Sequence, residues 1–378
     1  MKNNAPVQLI LEMTENRATG CPVSGRFPSS QARYEALCVA ASLLIVIAGC
    51  GGSGGSLPSP GPGAAPSIYL TQDVPTAPSN ILALPTTANG TVSPTSTLTG
   101  PTGVVFSGLA VDETGNAYVG GEIFGTGGGS GGPPLTAVEI LVYAPGASGA
   151  QPTRTITSSS LQVNSGGIYA LTVDNSGNLY VSGVLAQPNL GIGVAVFSPT
   201  ASGSATPTRV IEGGATTITG LFPVPIAVDS ADNLYVSSAD PLEPNSILIF
   251  DSSADGNVPP TRTIGGPATT INSIQGLAVD SAGNIYVSSS GNGETGSPEI
   301  LVFSTGSTGN VAPIRTISGS ATTLDAIGDL ALDSAGNIYV LNGLNLLKIG
   351  PNATGNVAPM ATITTAASLV FANSIAVH

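Results

Sequence analysis

Positive charge is scarce in this chain. Its 378 residues include 9 lysines and arginines against 22 aspartates and glutamates, which gives a net charge of −13. No basic patch is present that could neutralise a phosphate backbone and release its counterions, so nucleic acid is not expected as a partner. The acidity indicates a soluble surface that faces outward.

Side chains for nucleophilic or acid–base chemistry are also few. Histidine occurs only as His378, so a catalytic triad or a histidine general base has a single possible base. Cysteine occurs only at Cys21, Cys38 and Cys50. A chain cut before Cys50 could form no internal disulfide, which leaves that thiol free for another role.

An apolar stretch of 14 residues, 36–49, stands near the N-terminus. It is shorter than the roughly 20 residues that span a bilayer and suits the apolar region of a signal peptide. It ends in Ile47-Ala48-Gly49-Cys50, which resembles the lipobox of bacterial lipoproteins. The resemblance implies that residues 1–49 are a signal peptide and that Cys50 receives the lipid.

The segment before this stretch is long and acidic for a signal peptide, with Glu12, Glu15 and Glu35, and this favours a translation start further downstream. After the cysteine, residues 51–66 have the composition of a flexible tether, with a span of about 20–24 Å. Gly51 and Gly52 leave no aspartate beside the cysteine, which resembles lipoproteins sent to an outer membrane. We therefore expect an exported protein that is lipid-anchored in the cell envelope, in the outer membrane if the organism has one.

One phrase, typified by Leu277–Val287, recurs five times in the rest of the chain. Its aspartates, which lie 62, 55, 51 and 53 residues apart, are Asp112, Asp174, Asp229, Asp280 and Asp333. Each unit divides into four strand-like pieces: A, the Leu-Ala-Val-Asp run; B, the Ile-Tyr-Val run; C, an aliphatic run such as Ile300–Phe303; and D, Pro-x-Arg-x-Ile. Such a period with four strands predicts β-propeller blades.

The two ends of the repeat region complement each other. The N-terminal part has B, C and D pieces, at Ile68–Leu70, Ile81–Leu84 and Pro94–Leu98, and the C-terminal part has only an A piece, Ser374–His378. Together they make a sixth blade, which closes a ring and removes open sheet edges. We predict an all-β, six-bladed propeller over residues 67–378, with four strands per blade.

The unit resembles that of NHL-repeat propellers. Gly276–Val287 followed by Glu299–Phe303 matches the family's Gly-[Ile/Leu]-Ala-Val-Asp-x-x-Gly-Asn-Ile-Tyr-Val phrase and its Ile-x-Val-Phe strand. The Asn-x-Arg that many such units carry before the third strand is missing. The resemblance implies a binding platform with no specified ligand.

The residues that recur in the units are expected to be structural. The aspartates precede a Gly-Asn or Asp-Asn pair in the A–B turn, where they can accept backbone hydrogen bonds. The arginines of piece D, Arg154, Arg209, Arg262 and Arg315, are expected to discourage edge-to-edge pairing at the outer strand.

Six-bladed gluconolactonase-like propellers provide an enzymatic alternative. That resemblance implies Ca²⁺ or another divalent metal at the central channel, held by Glu, Asp and Asn. The residues that enter piece A should line the channel mouth, and they are Gly108, Ala170, Pro225, Gly276, Asp329 and Ser374. Only Asp329 is acidic, with Asp325 and Asn373 nearby in sequence. One carboxylate is few for an ion that takes six to eight oxygens.

The B–C loops vary most between units, and loops on a rigid scaffold are where binding usually resides. The ligand-binding candidates in these loops are Glu122, Asn189, Asp240, Glu243, Asn292 and Glu294. The sequence thus favours a monomeric, tethered, non-catalytic propeller without a cofactor, which binds a protein or a glycan. The metal-dependent hydrolase is the alternative.

Overall fold

The computed structural model describes residues 67–74, 77–125, 134–145, 147, 151–161, 167–186, 191–219, 224–239, 245–291, 297–365, 369 and 372–378. Within these residues no helix is long and apolar enough to cross a membrane. The chain forms six antiparallel sheets, each built around four strands, which we number as blades I to VI.

The first three blades follow the order of the chain except for one strand of blade I. Blade I contains β1 (Ser67–Val74), β2 (Ala77–Pro85) and β4 (Ser96–Thr99), and it takes β26 (Ala372–Val377) from the C-terminus. Blade II contains β5 (Val104–Val111), β6 (Ala117–Phe124), β7 (Leu135–Tyr143) and β8 (Arg154–Thr157). Blade III contains β9 (Ile168–Val173), β10 (Leu179–Leu185), β11 (Gly191–Phe197) and β13 (Arg209–Glu212).

The last three blades repeat this plan. Blade IV contains β14 (Ile226–Val228), β15 (Leu234–Ser238), β16 (Ser246–Phe250) and β17 (Arg262–Gly265). Blade V contains β18 (Ser273–Val279), β19 (Ile285–Ser290), β20 (Glu299–Phe303) and β21 (Arg315–Ser318). Blade VI contains β22 (Ile327–Leu332), β23 (Ile338–Asn342), β24 (Asn345–Ile349) and β25 (Ala361–Thr365). Three short 3₁₀ turns span Gly214–Thr216, Pro267–Thr269 and Ser320–Thr322.

The ring closes through β26, as the sequence predicted. This strand pairs antiparallel with β1, with Tyr69 opposite Ala376 and Leu70 opposite Ile375. It also contacts β22 on one side and β5 on the other, so the six inner strands form a continuous circle. The six-bladed, all-β fold is confirmed.

The hydrophobic core consists of six apolar clusters, each between two neighbouring blades. Between blades IV and V, for example, Ile247 and Ile264 pack with Val287 and Phe303, all fully buried. Burying such a side chain contributes about 1.5–3 kcal/mol. Stability therefore comes from contacts between blades, and a single blade could not bury both of its faces.

Within each blade, the strands formed by pieces A to D run in order from the inner strand, A, to the outer strand, D. Short parallel bridges, which the sequence did not predict, join strand D of one blade to the connection between strands C and D of the next blade. Strand β3 (Gly90–Val92) pairs with β25, and β12 (Gly203–Ser204) pairs with β8. Three single bridges repeat the pattern: Ile211 with Gly256, Ile264 with Gly309 and Ile317 with Gly355. These contacts cover outer edges that would otherwise be open to pairing.

The strand directions give the ring two distinct faces. The A–B and C–D connections lie on one face, which we call the turn face, and the B–C and D–A connections lie on the other, the loop face. The described chain starts on the turn face, where Ser67 exchanges backbone hydrogen bonds with His378. The His378 ring lies 3.0 Å from the backbone oxygen of Glu113, in the A–B turn of blade II.

Candidate functional site

The five repeated aspartates are hydrogen-bonded within their own A–B turns. In blade V, Asp280 Oδ1 accepts the backbone N–H groups of Ala282 and Asn284, at 2.9 and 2.8 Å. Its Oδ2 accepts the Asn284 side-chain amide and the Tyr286 hydroxyl, at 2.9 and 3.1 Å. Gly283 completes the turn at φ +80°, a conformation that glycine adopts without strain. This carboxylate has a structural task, as the sequence indicated.

The same hydrogen bonds set the acidity of two of these groups. Burial raises the pKa of Asp112, but hydrogen bonds from Asn116 and Thr114 outweigh it and hold the pKa below its usual value. The pKa of Asp229 is lowered for the same reason, with Asn233 as the main donor. Both carboxylates are therefore stabilised in the ionised form by neutral groups of their own turn.

The repeated arginines are structural, as expected, and they do more than charge the outer edge of a blade. Arg209 donates to the Tyr180 hydroxyl of its own blade at 2.8 Å and to the backbone oxygen of Ala254, in blade IV, at 3.0 Å. Arg154, Arg262 and Arg315 make the corresponding pairs of contacts. Each guanidinium joins two blades because the outer strand of one lies beside the C–D connection of the next. We call the Asp–Tyr–cation set the clasp.

Blade VI forms the clasp with a different residue. Ala361 occupies the arginine position on β25, and the cation comes instead from Lys348 on the neighbouring strand β24. Its ammonium lies 5.3 Å from the centre of the Tyr339 ring and donates to the backbone oxygen of Thr86, in blade I, at 2.9 Å. Every cationic side chain from residue 67 onward is therefore part of a clasp.

The inner strands are irregular at the positions predicted to line the channel mouth. The pairing register shifts at this point in β5, β9, β18, β22 and β26. Asp329 sits at the shift in β22, where its Oδ1 accepts the Leu330 N–H at 2.9 Å. Its Oδ2 accepts the Ser374 hydroxyl and the Ile375 N–H of β26, at 3.0 and 3.1 Å. Burial raises the pKa of Asp329 to about 6.

These residues fit a divalent metal poorly. Both Asp329 oxygens already accept protein hydrogen bonds, and the Asn373 amide donates to Asp73 Oδ2 at 2.7 Å. Asp325 is an exposed residue whose backbone N–H donates to Asn342. Across the described ranges, no three Asp, Glu, His or Cys side chains lie close enough together to hold a metal ion. Asp329 instead ties the closing strand to blade VI.

Glu122 is the one predicted ligand-binding residue that the structure describes, and it lies on a strand rather than in a loop. Strand β6 continues six residues beyond Tyr118, whereas β15 and β23 end three residues beyond Tyr235 and Tyr339. The extension is paired on both sides, with Val105 and Val138 opposite Glu122. We call Val105, Glu122, Phe124 and Leu135, at the loop-face end of blade II, the blade II overhang.

The Glu122 carboxylate reaches from the overhang to blade III. It accepts a hydrogen bond from the Ile168 backbone N–H, and a Cβ at Gly167 would overlap its Oε1. Burial raises the pKa of Glu122 to about 6, and the negative charge of Asp73 adds to the rise. Burial also raises the pKa of Tyr169, at the start of β9, to about 12, and the Glu122 charge contributes. Hydrogen bonds from Ser107 and Ile168 lower the pKa of Glu122 but offset only part of the effect of burial.

Asp73 occupies the position in blade I that Glu122 holds in blade II, four residues beyond the strand B tyrosine. It accepts hydrogen bonds from the Ser79 hydroxyl at 2.5 Å, the Asn373 amide at 2.7 Å and the Phe106 N–H at 3.3 Å. Burial raises its pKa. Carboxylates at this position occur only in blades I and II, since the other four blades have Val184, Ala239, Ser290 and Gly343.

The other predicted residues lie outside the described part of the chain. These are the lipidation candidate Cys50 and the loop residues Asn189, Asp240, Glu243, Asn292 and Glu294. Their assignments stay predictions.

Sequence reasoning missed a second repeated feature of the loop face. Thr217, Thr270 and Thr323 are exposed and have φ of 54°, 57° and 57°, which is unusual for a β-branched residue. Each follows a 3₁₀ turn whose alanine N–H donates to an asparagine of the next blade at 2.7 Å. The signal is the repeated Gly-x-Ala-Thr-Thr at 213–217, 266–270 and 319–323.

Comparison with known proteins supports the repeat and the fold. A family model described as a β-propeller repeat (SBBP) matches residues 261–294, from the outer strand of blade IV into blade V. The resemblance to repeat-built propellers is confirmed. No curated protein matches the sequence significantly.

Solved structures resemble the chain in fold alone. A protein of unknown function from Bacteroides caccae is 10% identical, with a TM-score of 0.52 over 83% of this chain and 99% of that one. A PQQ-bound aldose sugar dehydrogenase from Streptomyces coelicolor is 15% identical, with a TM-score of 0.41 over 79% of this chain and 86% of that one. A putative gluconolactonase is 14% identical, with a TM-score of 0.40 over 74% of this chain and 86% of that one. Likenesses at this level carry no information about activity.

Proposed function

We propose that this protein is a non-catalytic binding module, held at the cell surface by a lipid on Cys50, which binds a protein or a glycan through its loop face. The observation that carries the proposal is the blade II overhang. It places a half-buried carboxylate beside Phe124 and Val105, which are 39% and 36% exposed. Exposed apolar side chains next to a polar group are typical of binding surfaces, and the rigid ring fixes their positions.

The turn face is less suited to this role. Its aspartates, tyrosines and cations bind one another in the clasps, so a ligand would have to compete with hydrogen bonds that hold the blades together. A mutation there would change stability as well as binding, whereas a substitution on the overhang leaves the hydrogen bonds of the clasps intact.

Binding is tested with the purified full chain and glycans or proteins from the producing organism's envelope. Wild type should retain a component that the double variant Glu122→Ser/Phe124→Ser does not retain. Glu113→Gln, on the turn face, is the matched control because it also removes one carboxylate charge. Equal retention by all three proteins would contradict the loop-face assignment.

The anchor has a separate test. Cys50→Ser should move the protein from the membrane fraction to the soluble fraction, whereas Cys38→Ser should leave it in the membrane fraction. Membrane retention of Cys50→Ser would contradict the lipid anchor but leave the loop-face proposal intact.

The metal-dependent hydrolase remains the alternative to be tested. Bound metal is measured in the purified chain, and the melting temperature is recorded with and without EDTA. A stoichiometric divalent ion whose removal lowers the melting temperature would favour the hydrolase, and neither result is expected.

A further inference from the structure

The two faces of the ring differ in how their charges are balanced. From residue 67 onward the chain has five cationic side chains apart from the C-terminal histidine, against nineteen carboxylates. All five cations belong to the clasps, and they are Arg154, Arg209, Arg262, Arg315 and Lys348. Each is fixed by backbone oxygens of the next blade, so none can move to another partner without opening a contact between blades.

Among the described residues, the charged side chains of the loop face are consequently all acidic. Its B–C and D–A connections contain no lysine, arginine or histidine at any position in the sequence. Its described acidic residues include Asp73, Glu122, Glu299 and Asp325. Burial raises the pKa of Asp73, Glu122 and Glu299 and outweighs the hydrogen bonds that each carboxylate accepts.

Apolar surface lies directly beside this charge. Val105 is paired with Glu122 across β5 and β6, so both side chains project from the same face of blade II. Leu135 is paired with Phe124 and packs on the apolar cluster between blades II and III. The blade II overhang therefore offers an exposed aromatic ring, an aliphatic side chain and a carboxylate without a cationic partner among the described residues.

From this charge complementarity we propose that the partner of the loop face is a basic polypeptide segment. A lysine or arginine of the segment pairs with Glu122, and a neighbouring apolar side chain packs on Phe124 and Val105. A cation gains more next to a partly buried carboxylate than next to a fully solvated one, because water screens the interaction less there. The inference rests on the loop-face function proposed above and specifies the chemistry of its ligand.

The test measures binding of synthetic peptides to the detergent-solubilised full chain by isothermal titration calorimetry. The probes are a twelve-residue peptide of Lys-Leu-Gly repeats, a Glu-Leu-Gly peptide of the same length, and a Lys-Ser-Gly peptide without apolar side chains. The Lys-Leu-Gly peptide should bind most tightly, the Lys-Ser-Gly peptide more weakly and the Glu-Leu-Gly peptide not at all. Raising the salt concentration from 50 to 500 mM should weaken the binding.

Variants locate the binding on the ring. Glu122→Gln and Phe124→Ser should each weaken binding of the Lys-Leu-Gly peptide by about fivefold or more. The controls Glu113→Gln and Ile314→Ser, which change a turn-face carboxylate and an exposed apolar residue of blade V, should leave it unchanged. All variants are first checked for cooperative melting well above the temperature of the titration, which shows that each is folded.

The outcomes separate the two proposals. Equal binding of the acidic and basic peptides, binding of neither, or unchanged binding by Glu122→Gln and Phe124→Ser would overturn the basic-segment inference. If an envelope component is still lost in the Glu122→Ser/Phe124→Ser variant, the loop-face function stands with a ligand of different chemistry. If that component is retained, the loop-face function fails as well.

Discussion

The turn face and the loop face of this ring use carboxylates in opposite ways. On the turn face, Asp280 accepts four hydrogen bonds from neutral groups of its own turn, and Asp229 has a lowered pKa. On the loop face, burial raises the pKa of Glu122 to about 6, and the neighbouring Asp73 charge adds to the rise. The turn-face aspartate recurs in five of the six blades and serves the fold, whereas the loop-face carboxylate occurs in only two blades and is available for another purpose.

The largest effect is expected on the turn face. Asp280→Ala removes four hydrogen bonds and leaves their donors partly buried, so the free energy of unfolding should fall by about 2–4 kcal/mol. Chemical denaturation measures this change, and peptide binding at a temperature where the variant is folded should be unaffected. Lost binding by a folded Asp280→Ala would show that the two faces are not separate.

The next effect concerns the cation of the clasp. Arg209→Met keeps the aliphatic stem but removes the bonds to the Tyr180 hydroxyl and the Ala254 oxygen, and it should cost about 1–3 kcal/mol. Lys348→Met should have a comparable effect in blade VI, although Lys348 lies on β24 and the arginines of the other clasps lie on the outer strand of their blades. If neither variant is destabilised, the contacts between blades do not depend on these cations.

The loop-face carboxylates should make stability depend on pH. Because the pKa of Glu122 in the folded protein, about 6, lies above the usual 4.5 of a glutamate, its contribution is fully present below pH 4.5 and is lost as the pH rises through 6. Asp329 acts in the same direction. The melting temperature should therefore fall between pH 5 and pH 7, and Glu122→Gln should flatten this dependence. The same slope in Glu122→Gln and in wild type would rule out Glu122 as a source.

The smallest effect tests the regularity of the core. Tyr143 is buried, and its hydroxyl has no hydrogen-bond partner in the described structure. The corresponding residues of blades III, IV and V are Phe197, Phe250 and Phe303. Tyr143→Phe should therefore be neutral or stabilise the fold by up to about 1 kcal/mol. A clear loss of stability would reveal a partner for this hydroxyl.

The sequence was sufficient to predict the ring because its pattern is repeated. The Asp280 phrase and its four counterparts gave the blade spacing, and the fragments around Tyr69 and Ile375 gave the closure. Features that depend on two blades could not be read from one unit. The arginine contacts, the parallel bridge at Gly309 and the tie between Asp329 and Ser374 all arise from packing between units.

The candidate site was predicted only in part, for a related reason. The sequence identified Glu122 as a residue of a variable segment but did not predict that it lies on an extended strand. Gly120 and Gly121 precede it, and glycines at this point indicate a loop, whereas in the structure both are paired within the sheet. In the structure, a Cβ at Gly120 would overlap the Ser107 backbone oxygen, so this glycine allows a close approach within the sheet. Phe124 is the last residue of the same strand extension, and its exposure was therefore not predicted either.

The separation of the two faces is tested most directly by hydrogen–deuterium exchange of the full chain, free and saturated with the solubilised envelope fraction of the producing organism. Protection should be confined to the loop-face segments 69–74, 120–125, 134–139 and 167–170. The turn-face segments 112–116 and 280–286 should exchange at unchanged rates. Protection of the turns, or of neither face, would contradict the account.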